Sequence, residues 1–140
     1  MPLSEFEMIA RYFRQTARPG KGTVLGIGDD AALINVPDGS SLTTSILQWI
    51  EGTDFLFSDE PQATGKQVLD AAMKQVCKQV KPQWMTLSLT LEHIDENWVA
   101  GFSEGLLKNA AQNNIQLVGG DSTCGPGAIR LHLTGLRKVN

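Results

Sequence analysis

Two short segments that combine glycine with aspartate carry the residues best suited to chemistry. The first is the pentad Gly26-Ile27-Gly28-Asp29-Asp30, and the second is Gly119-Gly120-Asp121. Adjacent carboxylates repel each other, and their oxygens are ligands that Mg²⁺ prefers, often in a site shared with phosphate. Glycines beside them let a backbone or a phosphate approach closely. The pattern predicts two acidic turns, and the function depends on whether they form one working site.

The composition is that of a globular domain and excludes several function classes. The 140 residues, 41% hydrophobic and 19% charged, predict a single domain over 1–140 with a sizeable core. A net charge of −3 offers no basic surface for nucleic acid. No apolar run approaches the about 20 residues that cross a bilayer, and no signal peptide is recognised. We therefore expect a cytoplasmic protein whose partners are neither nucleic acid nor membrane.

Cysteine and histidine add little to the predicted chemistry. Cys77 and Cys124 are far apart and outside any C-x-x-C spacing, so neither a disulfide nor a zinc site is expected. His93 and His132 are isolated as well, and His132 falls within an alternating strand pattern. Both histidines are interpreted as surface or packing residues rather than catalytic ones.

Hydrophobic periodicity predicts the elements that must position the acidic segments. A capping box at Ser4 and Glu7 begins a first helix, and apolar stripes predict longer helices over about 61–80, stopped by Pro82, and about 95–113. Residues 37–40 predict a turn. Strands are predicted at about 24–27, 31–36, 42–50, 85–91, 115–118 and 129–134. This order predicts an α+β fold, with a mixed or antiparallel sheet of four to six strands and the helices on one face.

The sheet face away from the helices is expected to be only weakly polar. Strands 85–91 and 42–45 place Thr and Ser, rather than charged side chains, at their polar alternate positions. Such a face is not strongly solvated, and a second copy of the chain would cover it. We therefore expect a homodimer that forms through the sheets.

Several segments together resemble thiamine-monophosphate kinase, of the aminoimidazole ribonucleotide synthetase-like superfamily. They are residues 4–13, 26–32, 84–87, 94–98, 117–123 and 125–126. The resemblance covers almost the whole chain but only the N-terminal half of that kinase, and the kinase's C-terminal domain has no counterpart here. It implies a domain that dimerises through its sheet, so that two sheets close a barrel. It also implies ATP and several Mg²⁺ ions bound beside that interface.

The same resemblance implies a set of site residues. Asp29, Asp30 and Asp121 match metal-binding acids of the family, and Ser45 matches a metal-binding serine. Gly119 and Gly120, with Asp121, match the residual nucleotide or metal turn. No catalytic residue is assigned, and Mg²⁺ and ATP remain the cofactors that the resemblance implies.

Two departures from the family pattern fall on metal-binding positions. The kinases have Ser-Thr-Asp where this chain has Ser45-Ile46-Leu47, and Asn-x-Ser-Asp where it has Ala71-Ala72-Met73-Lys74. Neither an apolar side chain nor an ammonium offers Mg²⁺ an oxygen ligand, and phosphoryl transfer depends on metal clamping. We therefore expect a dimeric binding or assembly domain without kinase activity.

One alternative is that the chain is a fragment of a longer kinase, although truncation would not explain the altered metal positions. Three further alternatives remain open at this point. One is a protein that still binds Mg²⁺ and ATP, or another phosphate ligand, and contributes to a kinase-type reaction with a protein partner. A second concerns Lys74, whose ammonium would replace the lost cation and pair with Asp30 or Asp121. The third is structural: the Gly-Asp segments hydrogen-bond their own backbone, and Lys74 is a solvated lysine.

Overall fold

A mixed four-stranded sheet with two long helices packed on one face forms the main body of the protein. The structure is a computed structural model that describes residues 4–13, 23–25, 32–76 and 80–138. It confirms the predicted α+β class and the placement of the helices. The closure of two sheets into a dimeric barrel involves a second copy and stays a prediction.

The helices and strands follow one another in an order close to the predicted one. They are α1 Glu5–Met8, which continues as a π-helix at Ile9–Phe13, β1 Thr23–Leu25, β2 Leu33–Ile34, β3 Ser40–Ile50, α2 Pro61–Val76, β4 Lys81–Leu91, α3 Glu96–Gln112, β5 Gln116–Cys124 and β6 Ala128–Lys138. β1 and β2 pair with each other in a separate antiparallel ribbon. The main sheet has the strand order β3-β6-β4-β5, in which β4 and β5 are parallel and the other neighbours antiparallel.

Local capping signals place the helix starts correctly. The Ser4 N–H donates to the Glu7 carboxylate, and the Glu7 N–H donates to the Ser4 hydroxyl, both at 3.1 Å. These two bonds form the predicted capping box. Asp95 caps α3 by accepting hydrogen bonds from the N–H groups of Asn97 and Trp98. These side chains satisfy N–H groups that a helix start would otherwise leave unpaired. The sequence predicts the Ser4 cap, and the Asp95 cap is a finding of the structure.

The predicted role of Pro82 as a helix stop is wrong. Helix α2 is described as far as Val76, and β4 already begins at Lys81. Pro82 lies within β4 opposite Gly135, just before an irregularity in the pairing with β6. A proline cannot donate to a strand ladder, so it is tolerated near a strand start or beside a bulge.

The second acidic segment is a strand, and its prediction as a turn is wrong. Gly119, Gly120 and Asp121 all lie in β5 and pair with consecutive residues of β4. A Cβ on Gly120 would overlap the carbonyl oxygen of Leu87, so only glycine allows this close approach of the two strands. Glycines next to an aspartate suggest a turn when only the local sequence is considered. Here they lie in a strand, and the close approach of β4 explains the glycine at position 120.

The hydrophobic core lies between the two long helices and the side chains that β4 and β6 direct toward them. Its members from these four elements include Val68, Leu69, Leu87, Leu89, Phe102, Leu106, Leu131 and Leu133. Helices α2 and α3 approach closely at Gly105, where a Cβ would overlap the carbonyl of Gln62. In the described part of the chain, neither long helix combines the length and apolar character that crossing a membrane requires.

Candidate functional site

The structure places the sequence-predicted site residues on different elements. Asp29 and Asp30 lie outside the described residues, so their part of the predicted metal site stays a prediction. Ser45 lies in β3, Lys74 in the last turn of α2, and Asp121 in β5. Across the described ranges, no group of three or more His, Cys, Asp or Glu side chains is arranged to hold a metal.

Ser45 and Asp121 lie on opposite faces of the sheet. Ser45 pairs with the buried Leu133 on the helix-covered face, and its hydroxyl is buried without a hydrogen-bond partner among the described residues. Asp121 is exposed and pairs with Ser88 on the other face. Their strands are the two edges of the sheet, which lie three strand spacings, or about 14 Å, apart. The described residues therefore do not bring these two candidate ligands together.

The two positions that depart from the family pattern have ordinary structural surroundings. Leu47 packs against the hydrophobic core, and Lys74 is exposed. The salt bridges of the described residues join Arg11 to Glu96 and Lys66 to Asp70, and none joins Lys74 to Asp121. The proposed pairing of Lys74 with Asp30 involves a residue outside the described ranges and stays a prediction.

Asp70, in α2, lies in a polar cluster whose hydrogen bonds, and to a smaller extent the charge of Lys74, lower its pKa. The amide of Asn109 donates to Asp70 at 2.9 Å, and the ammonium of Lys66, one turn earlier in the same helix, lies 3.0 Å away. These two hydrogen bonds, together with the charges of Lys66 and Lys74, hold the pKa of Asp70 below its ordinary value. Asn109 is 5% exposed and also donates to the Lys66 carbonyl, so this cluster joins α2 to α3. Its role is structural.

A second polar cluster attaches the N-terminal helix to α3. The Arg11 guanidinium and the Tyr12 hydroxyl both donate to one oxygen of Glu96, each at 2.6 Å. The bond from Tyr12, and then that from Arg11, lowers the pKa of Glu96. Glu96 also lies in the first turn of its helix, where a negative charge is favourable. These contacts explain how the N-terminal segment is positioned.

The face of the sheet away from the helices gathers the most distinctive set of described side chains. We call it the open face and define it by Leu42, Thr44, Ile46, Gln48, Ile50, Thr86, Ser88, Thr90, Asp121, Thr123, Ala128, Arg130, His132 and Thr134. These residues lie opposite one another in the strand register, alternate with the core-facing ones, and so share one side of the sheet.

An apolar row runs along β3 on the open face. Leu42 is 50% exposed, Ile46 64% and Ile50 46%. From the sequence, we predict that Thr and Ser dominate the outward positions of strands 85–91 and 42–45. That expectation holds for β4, but in β3 three large apolar side chains point outward. Alternation shows that a strand has two different faces, yet it does not show which of them the helices cover.

A polar network crosses all four strands of the open face. The Arg130 guanidinium donates to the Gln48 side chain at 2.8 Å and to the Thr90 hydroxyl at 3.2 Å. Thr90 is in turn hydrogen-bonded to Thr123 at 3.0 Å. Beside this network, His132 contacts the hydroxyl of Thr44 across β3 and β6. Sequence reasoning did not identify Arg130, although its place among alternating apolar residues of β6 assigns it to the outer face.

A small cleft of about 70 Å³ lies at the start of α3. Phe57, Leu91, His93 and Trp98 are among the residues that line it, and Phe57 meets Trp98 edge-to-face at 5.0 Å between ring centres. The Trp98 indole N–H is buried, and no residue in the described ranges accepts a hydrogen bond from it. Asp121, the described acid among those predicted to bind metal, does not line this cleft.

Comparisons with known proteins agree with the fold and with the sequence resemblance. Residues 28–136 match the family model described as AIR synthase related protein, N-terminal domain. The thiamine-monophosphate kinase of Haemophilus influenzae is 34% identical over 141 residues, which cover 100% of this chain and 43% of the kinase. That of Escherichia coli is 35% identical over 136 residues, covering 96% of this chain and 42% of the kinase.

A solved structure gives the same result. The crystal structure of thiamine-monophosphate kinase from Stenotrophomonas maltophilia superposes with a TM-score of 0.77 at 29% identity and covers 84% of this chain and 38% of that one. The chain thus spans less than half the length of the curated relatives it matches.

Proposed function

The chain belongs to the AIR synthase related protein family, through that family's N-terminal domain, and we propose that it acts as a homodimeric binding and assembly domain without kinase turnover of its own. The observation that carries this proposal is the apolar row of Leu42, Ile46 and Ile50 on the open face. The three side chains share one face with Thr44 and Gln48, which lie between them along β3, and large apolar side chains gathered in the open on one face of a domain are a feature of interaction sites.

The size of the apolar row indicates how much of the face must take part. Each of the three side chains is about half exposed, so covering it contributes about 1 kcal/mol, or about 6 kcal/mol for two copies. Association costs at least about 4 kcal/mol, and more in most treatments. The apolar row alone therefore gives at best a weak dimer. The Thr, Ser and charged residues beside it must also be complementary to the partner.

The absence of kinase turnover is proposed from Leu47 and Lys74. Leu47 packs against the core and Lys74 carries a positive charge, so neither supplies an oxygen to Mg²⁺. A cation placed about 4 Å from Mg²⁺ costs about 4 kcal/mol per unit charge at an effective dielectric near 20. Since phosphoryl transfer relies on metal ions to position and neutralise the phosphates, both substitutions weaken it.

Two measurements on the unmodified chain test this proposal. Light scattering on a size-exclusion column should give twice the chain mass of 15.2 kDa at micromolar concentrations, because the open faces cover each other. Incubation with ATP, Mg²⁺ and thiamine monophosphate should give no phosphorylated product above the rate without protein. A monomer at about 100 μM would refute the assembly role. Turnover by the purified chain would refute the absence of kinase activity.

A further inference from the structure

One row of paired residues places two opposite charges on the open face. The row runs Gln48, Arg130, Ser88 and Asp121, with one residue from each strand of the main sheet. Because residues paired across strands point to the same side, the guanidinium and the carboxylate share this face. Arg130 and Asp121 carry the two formal charges among the residues that define the open face.

Arg130 is fixed in place by hydrogen bonds, and no described residue neutralises its charge. Its two hydrogen bonds go to the neutral side chains of Gln48 and Thr90, and no salt bridge to it occurs among the described residues. A guanidinium has five N–H donors, so most of them remain available. These contacts hold the side chain between Gln48 of β3 and Thr90 of β4, and neither of them is with Asp121 of β5.

Asp121 shows the complementary situation on β5. It is exposed and has no salt bridge within the described residues. Strand β4 separates it from Arg130 of the same chain, so their backbones lie two strand spacings, or about 10 Å, apart. Two charges without a salt bridge to any described residue therefore lie two strands apart on the surface that the proposed dimer would cover.

Covering this face has a consequence for both charges. A charge removed from water without a partner costs several kcal/mol, whereas a well-placed opposite charge offsets most of that cost. A symmetric dimer brings the same surface of two copies together, so a contact from residue i to residue j occurs twice. Each copy can then place a charged side chain beside the oppositely charged side chain of the other copy.

We propose that Arg130 of one copy pairs with Asp121 of the partner subunit, twice per dimer, and that this pair sets the register of the two sheets. The inference rests on the proposed dimer and adds to it the polar contacts that select a second copy as partner. In this dimer the positive partner of Asp121 is a guanidinium, so the carboxylate needs no metal ion and is unaffected by the loss of ligand oxygens at Leu47 and Lys74.

Charge reversal tests the pair. Sedimentation equilibrium should show that Arg130→Asp and Asp121→Arg each weaken dimerisation at least about tenfold, because like charges then face each other. The double variant should return to within about threefold of the wild type. An equimolar mixture of the two single variants should form heterodimers, visible by native mass spectrometry when one variant carries a mass tag.

Mixing the two variants separates a contact between copies from one within a chain. If the double variant is restored but the mixture stays monomeric, the pair is intramolecular and the inference is wrong. A wild-type dimer that is indifferent to both reversals also overturns the inference and leaves the proposed dimer intact. A monomeric wild type contradicts the proposed dimer itself.

Matched controls come from the exposed side of α3. Glu104→Arg and Lys108→Asp make the same charge changes away from the open face and should leave the dissociation constant within about twofold of the wild type. Circular dichroism checks that each variant folds. If a reversal does not fold, Arg130→Gln and Asp121→Asn replace it. Each should weaken the dimer, and the double neutral variant should be no weaker than the worse single one, while additive losses would contradict the pair.

Discussion

Gly120 lies so close to Leu87 that a Cβ at this position would overlap the Leu87 carbonyl oxygen. This contact gives one of the two glycines in the second acidic segment a structural reason to be glycine. Gly119 differs, because a Cβ there would meet the Thr86 methyl group at 3.8 Å, an ordinary contact distance. Of the two neighbouring glycines, Gly120 leaves no room for a Cβ, whereas Gly119 does.

Alanine substitution should separate these two glycines. Gly120→Ala should lower the free energy of unfolding by about 1–3 kcal/mol, because β5 must move away from β4 to make room. Gly119→Ala, the matched control, should change it by less than about 1 kcal/mol. Urea denaturation followed by circular dichroism measures both. Equal losses at the two positions would show that strand spacing does not explain Gly120.

The cluster around Asp70 predicts a pH dependence of stability. Its pKa is lowered in the folded chain, chiefly by the Asn109 hydrogen bond and then by the Lys66 one, and returns to about 4 on unfolding. The stabilisation is therefore complete above about pH 4 and is lost as the pH falls through the lower, folded-state value.

Melting temperatures between pH 2 and pH 7 check this dependence. Asp70→Asn removes the titrating group, so the melting temperature of the variant should fall less steeply than that of the wild type below about pH 4. Asp38→Asn, in the exposed turn before β3, is the control and should follow the wild-type curve. A variant that loses stability in acid as steeply as the wild type would exclude Asp70 as a source of the dependence.

Loss of the Glu96 side chain should loosen the N-terminal segment without lowering the stability of the whole domain. Replacing it with alanine removes the acceptor shared by Arg11 and Tyr12, so amide hydrogen exchange should accelerate over residues 8–13. The melting temperature should change little, because Arg11 and Glu96 are about half exposed. Glu104→Ala on the same helix is the control. Unchanged exchange in Glu96→Ala would show that apolar contacts alone position the N-terminal segment.

Isothermal titration tests whether a metal–nucleotide site persists. We expect no heat from Mg²⁺ and ATP up to about 1 mM, because Leu47 and Lys74 supply no ligand oxygen. Binding tighter than about 100 μM would instead support the alternative of a residual nucleotide-binding protein. In that case Asp121→Asn should abolish the heat if Asp121 contributes to the site.

Sequence reasoning succeeds here where the signal is local. Ser4 caps its helix through a side chain that acts on the next few residues, so a short pattern reveals it. It fails at Gly119 and Gly120, because composition indicates a turn while the strand ladder with β4 decides the structure. It makes no prediction for the exposure of Ile46, because that exposure depends on where the helices pack. Asp29 and Asp30 lie outside the described residues, so their role as metal ligands stays a prediction.

The most direct test of the central claim compares two exposed apolar residues. Ile46 is 64% exposed on the open face, whereas Leu56 is 45% exposed in the segment between β3 and α2. In sedimentation equilibrium, wild type and Leu56→Lys should both be dimers of twice 15.2 kDa, and Ile46→Lys should dissociate at least about tenfold more readily. An Ile46→Lys chain that dimerises as tightly as the wild type would contradict dimerisation through the open face.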